Sequence, residues 1–491
     1  MDLLEVVSQK WHDKWHEEAE AAFKQTLGGG VVGRYPASAA HTVQIRSPKL
    51  AEDGAPFAAL IHPNNQSSGG YAGMSFVLFP SADAPAALIA MVVGTLGLGD
   101  DAPTLGRPGH SRRLSALTGW LNNQFGQGKQ FAWAKTDPAA IDNDVPEDLR
   151  KQWPQFQSSL RKYGKVVYAF AVPPTGEREA LRSALFGFLD LAMEERSVLP
   201  LTAHQREREA IQAAYLARTM PDLSAADVGA LLARRRYAIV EGPPGTGKTR
   251  LAHEVRNTVY GGRGTTVQFH PGTTYENFVG GLAPVTGDDQ VGLRFEPRPG
   301  FLMDAIDAAE QCDPEPYLLH LDEVNRADLA KVLGEAIYLL EPAEASRTVR
   351  LPYEFQRVGG RKSLTLTVPR NLHILGTMNS ADRSIAILDV AIRRRFAFIR
   401  LWPQRKVVEA LSAPVMLEAF DRLSAIFLDW ATDEAFALLP GHSYFLDSES
   451  RTAPATLKQN LVPLLEEYLA QGYLPGFAES IRAYIQWVES L

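Results

Sequence analysis

The sequence predicts an α/β protein in which a parallel sheet flanked by helices follows a mixed α and β region and precedes a mostly helical segment. Strands and helices alternate between about residues 201 and 400, a pattern typical of a parallel sheet. A glycine-rich loop, EGPPGTGKTR, follows one apolar strand of this region and opens a helix. Two further apolar strands, YLLHLDE and NLHILGTMN, end in polar side chains. Ligands of open α/β sheets bind at such strand ends, so the sheet is expected to carry a ligand site.

The first 200 residues alternate short apolar strands with helical stretches, which predicts a separate α+β domain. We expect strands at HTVQIR, FAALIH, SFVLF, LIAMVV and KVVYAFAV, and helices at RRLSALTGWLNNQF, at PEDLRKQWPQFQSSLRKY and from about Glu177 to Arg196. The segment SVLPLT interrupts this pattern, so we place a boundary near residue 200.

Residues 201 to 400 carry the alternating pattern, and the remainder is mostly helical. Strands are expected at RRYAIVEG, TTVQFH, PYLLHLDE and NLHILGTMN, and helices at GKTRLAHEVRNTVY, GFLMDAIDAAEQ and ADLAKVLGEAIYLLE. The clearest helices of the last segment are KVVEALSA and LKQNLVPLLEEYLAQG. We therefore predict three domains, which cover residues 1–200, 201–400 and 401–491.

The composition is that of an ordinary globular protein. Of 491 residues, 45% are hydrophobic and 22% charged, and the formal net charge of −7 argues against a globally basic nucleic-acid binder. The single cysteine, Cys312, excludes an intrachain disulfide and fits a reducing compartment. The N-terminus lacks the features of a signal peptide, and the most apolar stretch, APAALIAMVVGTLGLG, is too short and glycine-rich for a bilayer span. We expect a soluble, cytoplasmic protein with no membrane partner.

The strongest motif is the glycine-rich loop, which matches the G-x-x-x-x-G-K-T pattern of phosphate-binding loops. Its glycines allow backbone N–H groups to surround phosphates, and the following helix adds the positive end of its dipole. Lys248 is expected to contact the β- and γ-phosphates, and the Thr249 hydroxyl to bind Mg²⁺. The residues expected to bind nucleotide here are Gly242, Pro243, Pro244, Gly245, Thr246, Gly247, Lys248 and Thr249.

An adjacent pair of carboxylates, Asp322 and Glu323, ends the strand YLLHLDE about 75 residues later. A pair in this position downstream of a phosphate loop predicts that Asp322 holds Mg²⁺ through water. Glu323 is then expected to orient and polarise the water that attacks the γ-phosphate.

Polar residues also follow the strand NLHILGTMN, in the stretch GTMNSADRS. If this strand lies between the phosphate loop and the Asp-Glu strand, Asn379 points toward the γ-phosphate. A neutral amide there can position water without cancelling the charge of the metal. Asp382 and Arg383 are equally well explained as an ion pair in a surface turn.

Three consecutive arginines occur in LDVAIRRRFAFIRL. Arg393 and Arg394 are candidates for arginine fingers, which stabilise the charge that develops in phosphoryl transfer. The alternative is a cationic helix C-terminus favoured by the helix dipole.

These motifs, in this order, resemble those of AAA+ NTPases, and more narrowly those of the McrB type. The family's D-E-x-N-R strand end is matched by Asp322, Glu323, Asn325 and Arg326, and its M-N-x-x-D-R signature by Met378, Asn379, Asp382 and Arg383. TYENFVGGL is similar to the family's Y-E-D-F segment with Asn277 in place of Asp, and GHSYF to a segment of its small helical lid. The resemblance covers about residues 230 to 470.

The resemblance implies an AAA+ P-loop NTPase core with a helical lid, assembled into hexameric rings with nucleotide at subunit interfaces. Catalysis would use Mg²⁺, Lys248, Asp322, Glu323 and Asn379 of one protomer, and Arg393 or Arg394 of its neighbour. It further implies an McrC-like nuclease subunit as partner and a role in antiviral defence by restriction of DNA. The family uses GTP, but a phosphate loop contacts phosphates rather than bases, so GTP and ATP both stay open.

Two other functions are compatible with the same motifs. A MoxR-like AAA+ chaperone would remodel proteins and need no nucleic acid. Alternatively, the N-terminal region senses a small molecule or a protein, and the NTPase transmits the signal.

The N-terminal region carries no securely matched recognition motif. Its first 200 residues hold 19 Lys and Arg against 21 Asp and Glu, so it shows no overall charge footprint for DNA. Three local features could bind DNA, or could equally be solvated loops and aromatic core: the basic stretch LGRPGHSRRL, the polar loop HPNNQSSGGYAG, and Trp120 with Trp133.

Overall fold

The structure, a computed structural model, describes all residues except 1, 31, 49–54, 287–292, 343, 345–346 and 382–389. Its residues cluster into two units, Met1–Met220 with Leu428–Ala431, and Pro221–Phe427 with Thr432–Leu491. The division into three domains at about residues 200 and 400 stays a prediction.

An antiparallel sheet organises the first unit, in the strand order β1-β2-β3-β4-β6-β5. Residues of β2, β3, β4 and β6 are buried throughout, because helices and loops cover the sheet, and the α+β architecture predicted for this region is confirmed. The strands are β1 Gln44–Arg46, β2 Ala58–Ile61, β3 Met74–Pro80, β4 Ala87–Val93, β5 Ala132–Ala134 and β6 Val167–Ala171. The helices are α1 Leu3–Val7, α2 Trp15–Leu27, α3 Ala102–Leu105, α4 Pro108–Phe125, α5 Glu147–Gln152, α6 Gln157–Tyr163, α7 Arg178–Glu194 and α8 Thr202–Leu216.

Part of the basic stretch at the start of α4 belongs to the interior of this unit. His110 is fully buried, and its Nδ1 lies 3.0 Å from the carboxylate of Glu195 at the end of α7. Arg107 forms an ion pair with the same carboxylate. These two side chains are therefore engaged by an internal carboxylate, which argues against a DNA-binding role for this part of the stretch.

The next two arginines of α4 are engaged as well. Arg112 donates hydrogen bonds to the carbonyl oxygens of Leu428 and Ala431, both at 2.6 Å. Arg113 pairs with Asp429 at 2.5 Å. Their contacts explain this basic stretch without nucleic acid.

The other proposed DNA-binding features of this unit also have structural partners. Trp120 and Trp133 are half-buried and pack on the rings of Phe125 and Phe170, at 5.8 and 5.7 Å between centroids. In the polar loop, the Asn65 side chain bonds to backbone groups of His62 and Ala72. The aromatic pair accordingly serves as packing in this unit.

A parallel sheet organises the second unit, in the strand order β15-β7-β14-β11-β8. Together with its flanking helices it confirms the predicted α/β fold class. Its strands are β7 Tyr237–Gly242, β8 Gly264–Gln268, β11 Tyr317–Asp322, β14 Leu372–Asn379 and β15 Ala397–Arg400. Two further antiparallel strand pairs lie outside this sheet. They are β9 Gly280–Thr286 with β10 Leu293–Pro299, and β12 Thr348–Gln356 with β13 Lys362–Thr367. The helices between α8 and the lid are α9 Ala225–Arg235, α10 Lys248–Thr258, α11 Tyr275–Phe278, α12 Phe301–Cys312, α13 Leu329–Leu333 and α14 Val390–Arg395.

Two predicted helices are shorter than their sequence patterns suggest. The helix expected over ADLAKVLGEAIYLLE ends at Leu333, because Gly334 adopts a left-handed φ of 51° and only a 3-10 turn follows. The helix expected over PEDLRKQWPQFQSSLRKY divides into α5 and α6, because Pro154 disfavours a helical conformation of Trp153.

The last part of the second unit is helical, as the predicted lid requires. Its helices are α15 Arg405–Leu411, α16 Pro414–Trp430, α17 Asp433–Phe436, α18 Ala453–Thr456, α19 Val462–Ala470 and α20 Ala478–Ser490, of which the C-terminal end of α16 is counted with the first unit. Among the helices of the described residues, none combines the length and hydropathy needed to cross a bilayer.

Candidate nucleotide-binding site

The glycine-rich loop joins β7 to α10 at the carboxyl end of the parallel sheet. Gly245 and Gly247 adopt left-handed φ angles of 80° and 79°, a region that costs other residues about 1–2 kcal/mol. Gly247 is the N-cap of α10, so the loop delivers its backbone directly to the positive end of the helix. The loop thus has the backbone conformation that a phosphate site requires.

Side chains of the loop stabilise this conformation from within. The Nζ of Lys248 donates to the carbonyl oxygens of Gly242 and Pro243 at 3.0 and 2.9 Å, and is buried. The Thr246 hydroxyl donates to the Pro243 carbonyl at 2.9 Å. The ammonium group is therefore held over the loop.

Three elements meet at the carboxylate of Asp322, the last residue of β11. The hydroxyl of Thr249, on the first turn of α10, donates to Oδ1 at 3.0 Å. The hydroxyl of Thr377, on β14, donates to the same oxygen at 2.5 Å. His320 lies beneath them with its Nε2 3.7 Å from Oδ1, and burial lowers the pKa of His320 to about 4. The carboxylate is consequently oriented by two hydroxyl groups and backed by a neutral imidazole.

Glu323 and Asn379 face each other at the ends of β11 and β14. The amide nitrogen of Asn379 lies 2.9 and 3.0 Å from the two carboxylate oxygens of Glu323. Glu323 has a φ of 55°, which is unfavourable for a residue with a side chain. Arg326, one turn later, pairs with Glu323 at 3.5 Å.

Strand order explains why these residues meet. β14 lies between β7 and β11, so Asn379 stands beside Gly242 in register, and Gly376 stands beside Leu321. This is the arrangement on which the prediction for Asn379 depended. The structure thus brings Thr249, Asp322, Glu323 and Asn379 together at one edge of the sheet, next to the phosphate loop.

The arginines of α14 divide into two groups. Arg393 and Arg394 are exposed, and the Arg393 guanidinium lies 5.3 Å from the Phe398 ring centroid. Arg395 is buried and donates to the Ala391 carbonyl at 2.9 Å, as expected for a helix C-terminus. Asp382 and Arg383 lie outside the described residues.

A loop of the helical lid contacts the phosphate loop through its backbone. Gly441 N–H donates to the Pro244 carbonyl at 2.9 Å, and Ser443 N–H to the Gly245 carbonyl at 3.0 Å. A Cβ on Gly441 would stand only 2.0 Å from the carbonyl carbon of Gly245. Only glycine permits this close approach. The lid therefore supports the phosphate loop at the carbonyl groups of the loop and leaves the N–H groups of the loop available to phosphates.

The segment TYENFVGGL contains the short helix α11 and the first residues of β9. Asn277, which stands where the family has Asp, accepts hydrogen bonds from the N–H and hydroxyl of Thr274 and so completes a capping box. Tyr275 donates to Glu335 at 2.6 Å. The departure from the family pattern therefore preserves the cap.

The motifs predict no role in the site for Thr377 and His320, and none for Gly441 beyond its place in the lid segment GHSYF. A signal was present for the first two, because alternate residues of a strand share a face: Thr377 lies two residues before Asn379, and His320 two before Asp322. The closeness of Gly441 to the phosphate loop is a contact between distant segments and has no local signal.

Replacement of Gly441 by Ala should weaken nucleotide binding strongly, because the added Cβ overlaps the backbone of Gly245 and must displace one of the two loops. We expect a loss of at least tenfold in affinity, measured with a fluorescent nucleotide. Gly476→Ala is the matched control, since a Cβ there meets no atom within 4 Å. Equal affinities of the two variants would contradict the bracing role.

Comparison with known proteins agrees with this geometry. Residues 238–396 match the model of the AAA domain (dynein-related subfamily). The chain is 28% identical over 356 residues to the type IV methyl-directed restriction enzyme EcoKMcrB subunit of Escherichia coli (strain K12), which covers 66% of this chain and 75% of that protein. It is 29% identical over 206 residues to the type II restriction enzyme BsuMI component YdiS of Bacillus subtilis (strain 168), over 36% of this chain and 60% of that protein.

The AAA domain match spans the phosphate loop, the Asp-Glu strand end, Asn379 and the arginines of α14. An AAA domain implies nucleotide binding and hydrolysis in general, and the parallel sheet with its lid has the corresponding fold. These similarities, with the fold and the strand-end residues, support an McrB-like AAA+ NTPase.

Proposed function

We propose that the chain hydrolyses GTP or ATP as the ring-forming motor subunit of a restriction system that acts on DNA. The observation that carries the proposal is the convergence of Thr249, Asp322, Glu323 and Asn379 beside a phosphate loop of the required conformation. Both relatives named above are restriction components, which favours this role over that of a protein-remodelling chaperone.

The donor set beside the loop fits Mg²⁺. This ion prefers hard oxygen ligands, takes one or two from protein and keeps several waters. The Thr249 hydroxyl and the Asp322 carboxylate are oxygen donors 3.0 Å apart. When bound, the ion would neutralise charge on the β- and γ-phosphate oxygens.

The remaining residues of the site would bind the phosphates or position the attacking water. Lys248 would exchange its bonds with the loop carbonyls for the β- and γ-phosphate oxygens and hold their charge. The Glu323 carboxylate would accept a proton from the attacking water and align its lone pair with the γ-phosphorus. Asn379, already bonded to that carboxylate, would fix its orientation and donate to the water or the γ-phosphate.

Arg393 and Arg394 are proposed to act on the neighbouring subunit's nucleotide in a ring, most simply a hexamer. Both are exposed on α14, as a residue that serves another subunit must be. DNA cleavage is assigned to a separate McrC-like nuclease subunit, and DNA contact to the first unit. Velocity sedimentation with a non-hydrolysable nucleotide tests ring formation, and co-purification with the nuclease tests the partnership.

Lys248→Ala is expected to abolish nucleotide binding, because it removes the cation that faces the phosphates. Glu323→Gln is expected to bind nucleotide and assemble normally but to lose turnover, since Asp322 and Thr249 are untouched. Filter binding measures nucleotide affinity, and phosphate release measures turnover. Competition between GTP and ATP in both assays identifies the preferred nucleotide. Wild-type turnover by the Glu323→Gln protein would remove Glu323 from this role.

Thr377→Val keeps the shape of the side chain and deletes the hydroxyl that donates to Asp322. We expect about a tenfold higher Mg²⁺ concentration for half-maximal nucleotide binding, because the carboxylate loses one orienting hydrogen bond. Thr377→Ser, which retains the hydroxyl, should behave as wild type. An unchanged Mg²⁺ titration in the Val variant would show that Thr377 does not position Asp322.

A mixture of the Arg393→Ala, Arg394→Ala double variant with Lys248→Ala should hydrolyse nucleotide although each protein alone does not. Mixed rings contain interfaces that pair an intact phosphate site with intact arginines, and an arginine finger contributes roughly 10³ to 10⁵ in rate. Activity should peak at an intermediate mixing ratio. If mixed rings form and stay inactive, the arginines act within their own subunit or only structurally.

A further inference from the structure

Ser380 directly follows Asn379 and bonds to two other parts of the second unit. Its backbone N–H donates to the carbonyl oxygen of Gly242, at the start of the phosphate loop, at 2.9 Å. Its hydroxyl donates to the carbonyl oxygen of Ala437 at 2.6 Å. Ala437 comes directly after α17, so this hydroxyl joins the end of β14 to the lid.

The peptide group between Asn379 and Ser380 is held at both of its polar atoms. Its carbonyl oxygen, which belongs to Asn379, accepts a hydrogen bond from Nδ2 of Asn325 at 3.3 Å, and Asn325 is only 3% exposed. Its N–H, which belongs to Ser380, donates to Gly242. These two bonds restrict rotation of the peptide plane, and the Ser380 hydroxyl adds a third attachment on a different element.

The end of β14 needs such attachments because the sheet holds it on one side only. Pairing with β7 continues as far as Asn379, whereas pairing with β11 ends at Gly376. The side that faces Glu323 therefore lacks ladder hydrogen bonds over the last residues of the strand. The Asn379 amide nevertheless lies 2.9 and 3.0 Å from the two oxygens of Glu323, so contacts beyond the sheet must keep it there.

We propose that Ser380 is a positioning residue for the pair formed by Glu323 and Asn379. Its hydroxyl bond to the lid holds the Asn379 amide against the Glu323 carboxylate, so that turnover requires the lid to be in contact with the end of β14. The inference rests on the proposed function, because it concerns the same reaction. It differs from the role of Gly441, since that contact supports nucleotide binding and this one supports the step that follows binding.

The variant Ser380→Ala isolates the bond to the lid, because it deletes the hydroxyl and keeps the backbone bond to Gly242. In the full chain we expect kcat to fall about fivefold, the effect of one lost hydrogen bond. KM should change less than twofold, because Lys248 and Asp322 are untouched. The measurement is steady-state phosphate release with Mg²⁺ over a range of concentrations of the preferred nucleotide.

Two further variants serve as rescue and control. Ser380→Thr keeps the hydroxyl and should recover most of the lost kcat. Ser490→Ala also deletes a hydroxyl that donates to a backbone carbonyl, that of Trp487 at 2.7 Å, but at the far end of the lid helices. It should leave both kinetic constants at their wild-type values.

A double-mutant cycle with Asn379→Ala separates positioning from general support of the fold. If Ser380 acts through Asn379, adding Ser380→Ala to Asn379→Ala should lower kcat no further. If Ser380 acts independently, the two losses should multiply. Rates are expressed per mole of bound nucleotide, so that misfolded chains do not contribute to the comparison.

The outcomes distinguish the inference from the proposed function. Wild-type kcat in Ser380→Ala, or losses that multiply in the double variant, would overturn the inference and leave the proposed function standing. Wild-type kcat in Asn379→Ala would instead remove Asn379 from the proposed reaction, and the inference would fall with it.

Discussion

The position of β14 between β7 and β11 is the constraint on which the candidate site depends. Backbone hydrogen bonds of a parallel sheet fix the register of neighbouring strands, and here they set Asn379 beside Gly242. The carboxyl ends of three strands that are far apart in sequence thus meet at one edge. Every polar side chain of the site projects from one of these ends or from the helix that follows the loop.

Around Asp322 the site is organised by hydroxyl groups. Two hydroxyls donate to one carboxylate oxygen, and a buried histidine that is neutral lies behind it. A carboxylate that is fixed in this way loses little conformational entropy when it takes up a ligand, and its negative charge stays available to a cation. Asp322 is therefore oriented by groups that carry no competing positive charge.

Contact between the lid and the phosphate loop adds a second level of organisation. Gly441 approaches the loop backbone so closely that no side chain fits between them, and two backbone bonds join the lid to the loop. The lid thereby contacts the carbonyl groups of the phosphate loop rather than its N–H groups. Such a connection gives a small helical domain a direct physical link to nucleotide binding.

In the first unit, the basic run at the start of α4 has acidic partners that are distant in sequence. Arg107, His110 and Arg113 form a basic run in sequence, yet the fold places acidic groups of α7 and of residue 429 against them. Carboxylates that come from distant parts of the chain neutralise a cluster that sequence alone presents as an open anion site. The net charge of a segment cannot reveal such partners.

The sequence by itself determined the fold class and the phosphate loop, because both are encoded locally. Strand periodicity, helix caps and glycines at positions with left-handed φ all act over a few residues, and they correctly located β7, β11, β14 and α10. The same local rules failed where a single residue broke a pattern, as Gly334 did for α13. Only the tertiary structure decided which strands are neighbours, that Thr377 and His320 support Asp322, and that Gly441 and Ser443 reach the loop. Apart from that of His320 with Asp322, which lies within one strand, these contacts join segments roughly 55 to 200 residues apart, and such pairings arise from the packing of the whole unit rather than from any pattern within one segment.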